Sequence, residues 1–200
     1  MEQLMNLVEE LKNSDIHEIV AQRIKEFENV SRDFNSLFRE LVFCILTAGT
    51  SAELGIKTIN HLGDIIFSGS EEEIQKRLKE VYRFHTIRAG YIFNARKDFH
   101  KINIDSENVR DLLVENIKGI GMKEASHFLR NLGFKDFAII DFHIVDILSK
   151  YGLIKKPKTL TKNKYLEIEG ILKEIAKKTD LSLAELDLYL WYKETGKVLK

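Results

Sequence analysis

Two hundred residues that are 44% hydrophobic and 31% charged, with 11 glycines and one proline, describe a chain able to bury a core as one domain or two joined lobes. That composition excludes collagen-like and disordered chains, and no apolar run approaches the roughly 20 residues that a membrane-crossing helix needs. Bases and acids balance at 31 each, so net charge gives no argument for a polyanionic partner.

The opening Met1-Glu2-Gln3-Leu4 lacks the basic-then-apolar layout of a secretory signal, and we expect a cytoplasmic protein with no membrane partner. Apolar residues recur at helical spacing, as in Ile16, Val20, Ile24 and Phe27, and again in Leu183, Leu186 and Leu190. The expected fold class is therefore all-α. In chain order, helices are expected over 3–12, 15–30, 33–48, 51–61, 71–80, 84–100, 106–115, 122–132, 142–150, 162–178 and 182–194. Start signals are Ser70 before three glutamates, Asp105-Ser106 before Glu107, Thr161, and Ser182 with Glu185 at capping-box spacing. Gly63, Gly69, Gly133, Gly152 and Pro157 mark breaks.

Cys44, the single cysteine, lies in the apolar run Leu41-Val42-Phe43-Cys44-Ile45-Leu46 and reads as buried filler. One thiol can form neither an internal disulfide nor a cysteine-ligated iron–sulfur site. Charge is uneven along the chain. Residues 1–40 hold nine acids and five bases, whereas 150–164 hold six lysines and no acid. That run, and Arg83, Arg88, Arg96, Lys97 and Lys101, face either phosphates or water.

The most informative stretch is Asn116-Ile117-Lys118-Gly119-Ile120-Gly121-Met122-Lys123, with two glycines around an isoleucine between two helical patterns. It reads as a tight turn joining helices. A helix that opens just after glycine presents unpaired N–H groups and the positive end of its dipole, which suits phosphate. By itself Gly-x-Gly reads more readily as a plain interhelical turn than as a phosphate site. The larger pattern adds Lys123 directly after the turn and, eighteen positions on, Asp141 in Ile140-Asp141-Phe142-His143.

This constellation resembles the helix-hairpin-helix DNA glycosylases. The hairpin motif spans about 111–133, and Asp141-Phe142-His143 matches the Asp-x-His of the branch that handles 8-oxoguanine. The ending Asp187-Leu188-Tyr189-Leu190-Trp191-Tyr192-Lys193 to Lys200, together with Arg83-Phe84 and Arg88-Ala89, is similar to the compact archaeal-type 8-oxoguanine DNA glycosylase/AP lyase family. The resemblance implies one helix-hairpin-helix unit over residues 1–200, with two helical lobes around an active-site cleft. It implies a bifunctional enzyme of base excision repair, acting as a monomer on double-stranded DNA that contains 8-oxoguanine or abasic sites. No metal or organic cofactor is implied. A glycosylase for another oxidised base and a non-catalytic hairpin module for DNA binding are the alternatives.

Residue by residue, the resemblance makes Lys123 the nucleophile and Asp141 the carboxylate partner. It gives Gly119, Ile120, Gly121 and His143 to the DNA backbone, and Phe84, Trp191, Asp187 and the C-terminal Lys200 to the base pocket. The chemistry is coherent, since a lysine amine attacks carbon only when neutral, and both burial and a helix N-terminus disfavour the ammonium. A carboxylate can accept the proton and then face positive charge growing on the sugar. Two departures stand out. Gly49, in the turn Thr47-Ala48-Gly49-Thr50-Ser51, stands where many relatives carry Asn or Gln, and Phe137-Ala138-Ile139-Ile140 lacks the Gly-Pro character common before the aspartate.

Overall fold

The structure, a computed structural model, describes residues 1–199 and contains only helices and turns among them. In order they are α1 (Glu2–Lys12), α2 (Ile16–Glu28), α3 (Phe34–Thr47), α4 (Ala52–Leu62), α5 (Ile65–Ser68), α6 (Glu71–Lys79), α7 (His85–Asp98) with a 3-10 turn at Phe99–Lys101, α8 (Val109–Asn116), α9 (Met122–Asn131), α10 (Phe142–Lys150), α11 (Lys162–Lys178) and α12 (Leu183–Thr195). The chain divides into two compact units, one made of residues 1–29 with 129–200 and the other of 30–128.

In the 30–128 unit the organising element is α3, which is buried almost all round. Leu37, Phe38, Leu41, Val42, Phe43, Cys44, Ile45 and Leu46 are all buried, and such a helix is stable only when others cover it. Helices α4, α5 and α7 pack against it. Cys44 is wholly buried, as its apolar run requires. The entry to α3 is fixed by Asp33, whose Oδ1 accepts the Ser36 N–H at 3.0 Å. Hydrogen bonds from the Ser31 and Ser36 hydroxyls, with that backbone bond, hold the Asp33 carboxyl well below the usual carboxylate range.

In the other unit α12 packs against α1, α2, α10 and α11. Val20, Ile24 and Phe27 of α2 meet Ala184, Leu188 and Tyr189 of α12 in one buried cluster. The capping boxes Ser70–Glu73 and Ser182–Glu185 are both formed. Thr161 caps α11 through the Lys164 N–H at 3.3 Å.

Three expectations need correction. Residues 65–68 form the short helix α5, which is too brief to show a period. The expected 84–100 helix ends at Asp98 and tightens into the 3-10 turn. The expected start near 106 moves to Val109, because Ser106 donates its hydroxyl to Asn108 Oδ1 at 2.6 Å and Asn103 Oδ1 accepts the Asp105 N–H at 3.1 Å. These side chains close a turn in place of a helix start. No helix among the described residues is long and apolar enough to cross a membrane.

Candidate functional site

The hairpin lies in the 30–128 unit. Helix α8 closes with the Ile117 N–H bonded to Leu113 O at 2.9 Å, the chain turns with Ile120 N–H on Ile117 O at 3.2 Å, and α9 opens with Ala125 N–H on Gly121 O at 2.9 Å. The Arg110 guanidinium reaches Ser126 Oγ at 3.4 Å, tying α8 to α9. Gly119 has φ +92°, a conformation L side chains rarely adopt, and a Cβ there would fall 2.3 Å from Cδ2 of Tyr91. The missing side chain thus makes room for the Tyr91 ring. That ring carries cations on its faces, with Lys118 Nζ 5.9 Å and the Arg88 guanidinium 5.5 Å from its centroid.

The amides of the turn are partly committed. Ile120 is 5% exposed, so its side chain serves the core, and its N–H is already bonded to Ile117 O. Gly121 N–H donates to Glu124 Oε2 at 3.2 Å, the reach-back half of a capping box with the carboxylate at the third helical position. An anionic oxygen therefore already occupies the donor that a phosphate would use. The amine of Lys123, a residue half-buried on the first turn of α9, has no hydrogen-bond or ion-pair partner among the described residues.

Asp141 belongs to the other unit, as N-cap of α10. Its Oδ1 accepts the Ile144 N–H at 3.0 Å, and its carbonyl accepts the Val145 N–H at 3.1 Å. The chain reaches it through Ala138, Ile139 and Ile140, which are all buried and lie outside any helix. Buried backbone must find partners, and α11 supplies them. The Tyr165 hydroxyl donates to Ala138 O at 2.6 Å and accepts the Ile140 N–H at 3.1 Å, while Glu169 Oε2 accepts the Ala138 N–H at 3.1 Å. Three side-chain hydrogen bonds thus hold this backbone, which lacks the Gly-Pro pattern.

Two residues on from Asp141, His143 meets Trp191 of α12 edge-on, with centroids 5.3 Å apart at 89°. The structure thus brings Asp141, His143 and Trp191 to one end of α10 within a single unit. Asp187, one turn before Trp191, faces Arg130 with Oδ2 3.7 Å from Nη1, and that guanidinium lies 4.6 Å from the Phe27 centroid. Phe84 stands in the 30–128 unit under the Arg83 guanidinium, 4.2 Å from its centroid, and edge-on to Tyr82. Lys200 lies outside the described residues.

Of the basic stretches, Arg88 donates to Ala48 O at 2.6 Å and Arg96 to Gly69 O at 2.7 Å, so these two guanidinium groups close loops. In the 150–164 run, Lys156 pairs with Asp146, and Lys164 with Glu167. Tyr165, Glu169, Tyr91 and Glu124 are the supporting residues that sequence reasoning missed. Only Glu124 left a local signal, standing three positions after the glycine that caps α9.

The chain as a whole is similar to known proteins. Residues 20–181 match the family model described as 8-oxoguanine DNA glycosylase, of the Ogg-HhH type. The 8-oxoguanine DNA glycosylase/AP lyase of Korarchaeum cryptofilum is 50% identical, over 100% of this chain and 99% of its own length. The crystal structure of the Methanocaldococcus jannaschii 8-oxoguanine glycosylase/lyase in complex with a 15mer DNA containing 8-oxoguanine matches with TM-score 0.95 at 48% identity, over 99% of this chain and 100% of that one. The 8-oxoguanine DNA glycosylase of Thermotoga maritima matches with TM-score 0.93 at 39% identity, over 100% of this chain and 99% of that one.

Proposed function

The chain belongs to the 8-oxoguanine DNA glycosylase family, of the helix-hairpin-helix type, and we propose that Lys123 and Asp141 carry the chemistry it performs on duplex DNA. The protein is a bifunctional enzyme, an 8-oxoguanine DNA glycosylase and AP lyase. The observation that carries the assignment is local. The Gly119-Ile120-Gly121 turn delivers the chain into α9 with Lys123 on its first turn, holding an amine that has no partner among the described residues.

In this reading Lys123 Nζ attacks C1′ of the damaged nucleotide, the C1′–N bond breaks, and the base leaves with the bonding electrons and a proton. The amine loses its protons as the sugar ring opens to an imine. Loss of a C2′ proton then expels the 3′ phosphate by β-elimination, and water releases the lysine from the cleaved sugar. Asp141 accepts a proton and faces the positive charge that develops on the deoxyribose. Its Oδ1 is held by Ile144, so Oδ2 is the oxygen offered to substrate.

Backbone groups of Gly119, Ile120 and Gly121, and the imidazole of His143, hold the DNA backbone. Recognition of the extruded base falls to the rings of Phe84 and Trp191, the Asp187 carboxylate and Lys200. The enzyme works in the cytoplasm, on chromosomal DNA.

Single-turnover cleavage of an end-labelled duplex with one 8-oxoguanine tests this reading. The wild-type protein releases the base and nicks the strand, whereas Lys123→Gln does neither while still binding the duplex. If the wild-type protein binds the duplex and leaves it intact, the hairpin is a binding module. Cleavage confined to a duplex with a different oxidised base would contradict the substrate.

A further inference from the structure

We infer that Phe142 is a stacking platform for an unpaired nucleobase, a subsite additional to the pocket assigned to Phe84 and Trp191. The inference rests on the glycosylase reading above. Among the described large apolar side chains Phe142 is the most exposed, at 66%. It sits between the two residues of its helix to which function has been assigned, Asp141 and His143. Its ring lies on the His143 imidazole, with centroids 3.9 Å apart and planes tilted by 36°. His143 is in turn held edge-on by Trp191. This ladder of three rings within one unit fixes the plane of Phe142, and with one face on the imidazole and two thirds of its surface in water, the other face is open.

A phenyl ring offers nothing to a phosphate, but its open face suits another flat π system. Removing a nucleotide from a duplex creates two candidate partners, the extruded base, which has lost its stacking neighbours, and the base opposite, which has lost its pairing partner. Aromatic stacking on a base is sequence-tolerant and strong enough to be read in affinity. The high exposure also means that truncating Phe142 removes few contacts within the protein.

The test measures dissociation constants by fluorescence anisotropy for Phe142→Ala, Phe142→Leu and Phe142→Trp. All are made on a Lys123→Gln background so that no substrate is consumed. Three duplexes serve as probes: an intact one, one with a tetrahydrofuran abasic analogue opposite cytosine, and one with 8-oxoguanine opposite cytosine. Phe142→Ala and Phe142→Leu are expected to lose about 10-fold in affinity on a modified duplex, with Phe142→Trp near the parent and the intact duplex unaffected. A loss that extends to the tetrahydrofuran duplex identifies the orphaned base as the occupant, and a loss confined to the 8-oxoguanine duplex identifies the extruded one. Equal affinity of Phe142→Ala and the parent on both modified duplexes overturns the inference, as does full rescue by leucine. If the parent fails to prefer either modified duplex over the intact one, the glycosylase reading fails first.

Discussion

Two helix N-termini carry the proposed chemistry, and they are built in opposite ways. At α9 the cap is Gly121, closed by Glu124 from inside the helix, so the cap does not use Lys123, whose amine has no partner among the described residues. At α10 the functional residue is itself the cap, with Asp141 bonded to the Ile144 N–H at 3.0 Å. Their supports differ too. The hairpin leans on the face of the Tyr91 ring, which fills the space a side chain at Gly119 would take, whereas the approach to Asp141 hangs on the Tyr165 hydroxyl. Function and stability are separable at the first site and joined at the second.

The largest expected effect separates them at once. Lys123→Gln should abolish excision, by at least about 1,000-fold, while thermal stability stays within about 0.5 kcal/mol of wild type, as for a surface substitution. Calorimetry alongside single-turnover kinetics checks both halves, and a large fall in melting temperature would give Lys123 a structural role. Next, Asp141→Asn and Asp141→Ala should both lose about 100- to 10,000-fold in excision, since neither has a carboxylate. Only the alanine variant should also lose about 1 kcal/mol of stability, because asparagine still caps a helix. Equal stability of the two would deny the cap its weight.

Gly119→Ala comes third. Positive φ and the clash with Tyr91 should destabilise the protein by about 1–3 kcal/mol and weaken binding to intact duplex, measurable by denaturation and anisotropy. The two tyrosines sharpen the contrast further. Tyr165→Phe strands buried backbone groups and should lower stability by about 1–3 kcal/mol together with excision, whereas Tyr91→Phe keeps its ring and should behave as wild type. Smallest is Glu124→Gln. It removes a negative charge from the donor a phosphate would use, and a few-fold gain in affinity for intact duplex is expected, largest at low salt. Unchanged affinity at low salt would mean that no phosphate approaches Gly121.

Much of the framework was legible from local pattern. Helices such as α11 and α12 carry a long apolar period and a Thr or Ser cap, and the turn at Gly119 announced itself because two glycines interrupt two helical patterns. What stayed hidden depends on partners distant in sequence. Nothing around Tyr165 says that its hydroxyl will meet residues 138 and 140, and nothing at Gly119 names Tyr91 as the group that needs its space. Phe142 shows the limit from the other side, because in sequence an exposed phenylalanine on a helix reads like any core residue. The basic stretch from Arg83 to Lys101 illustrates a third kind of miss. Arg88 and Arg96 read as facing either phosphates or water, yet both donate to backbone carbonyls, a use that composition alone does not distinguish.

The central claim, that Lys123 becomes covalently joined to the sugar of the lesion, is tested most directly by borohydride reduction of the protein on a duplex with one 8-oxoguanine. Proteolysis and mass spectrometry of the adduct then identify the modified residue. We predict one reduced adduct, mapped to Lys123 and absent from Lys123→Gln. An adduct on any other residue, or an undiminished adduct in that variant, would contradict the account.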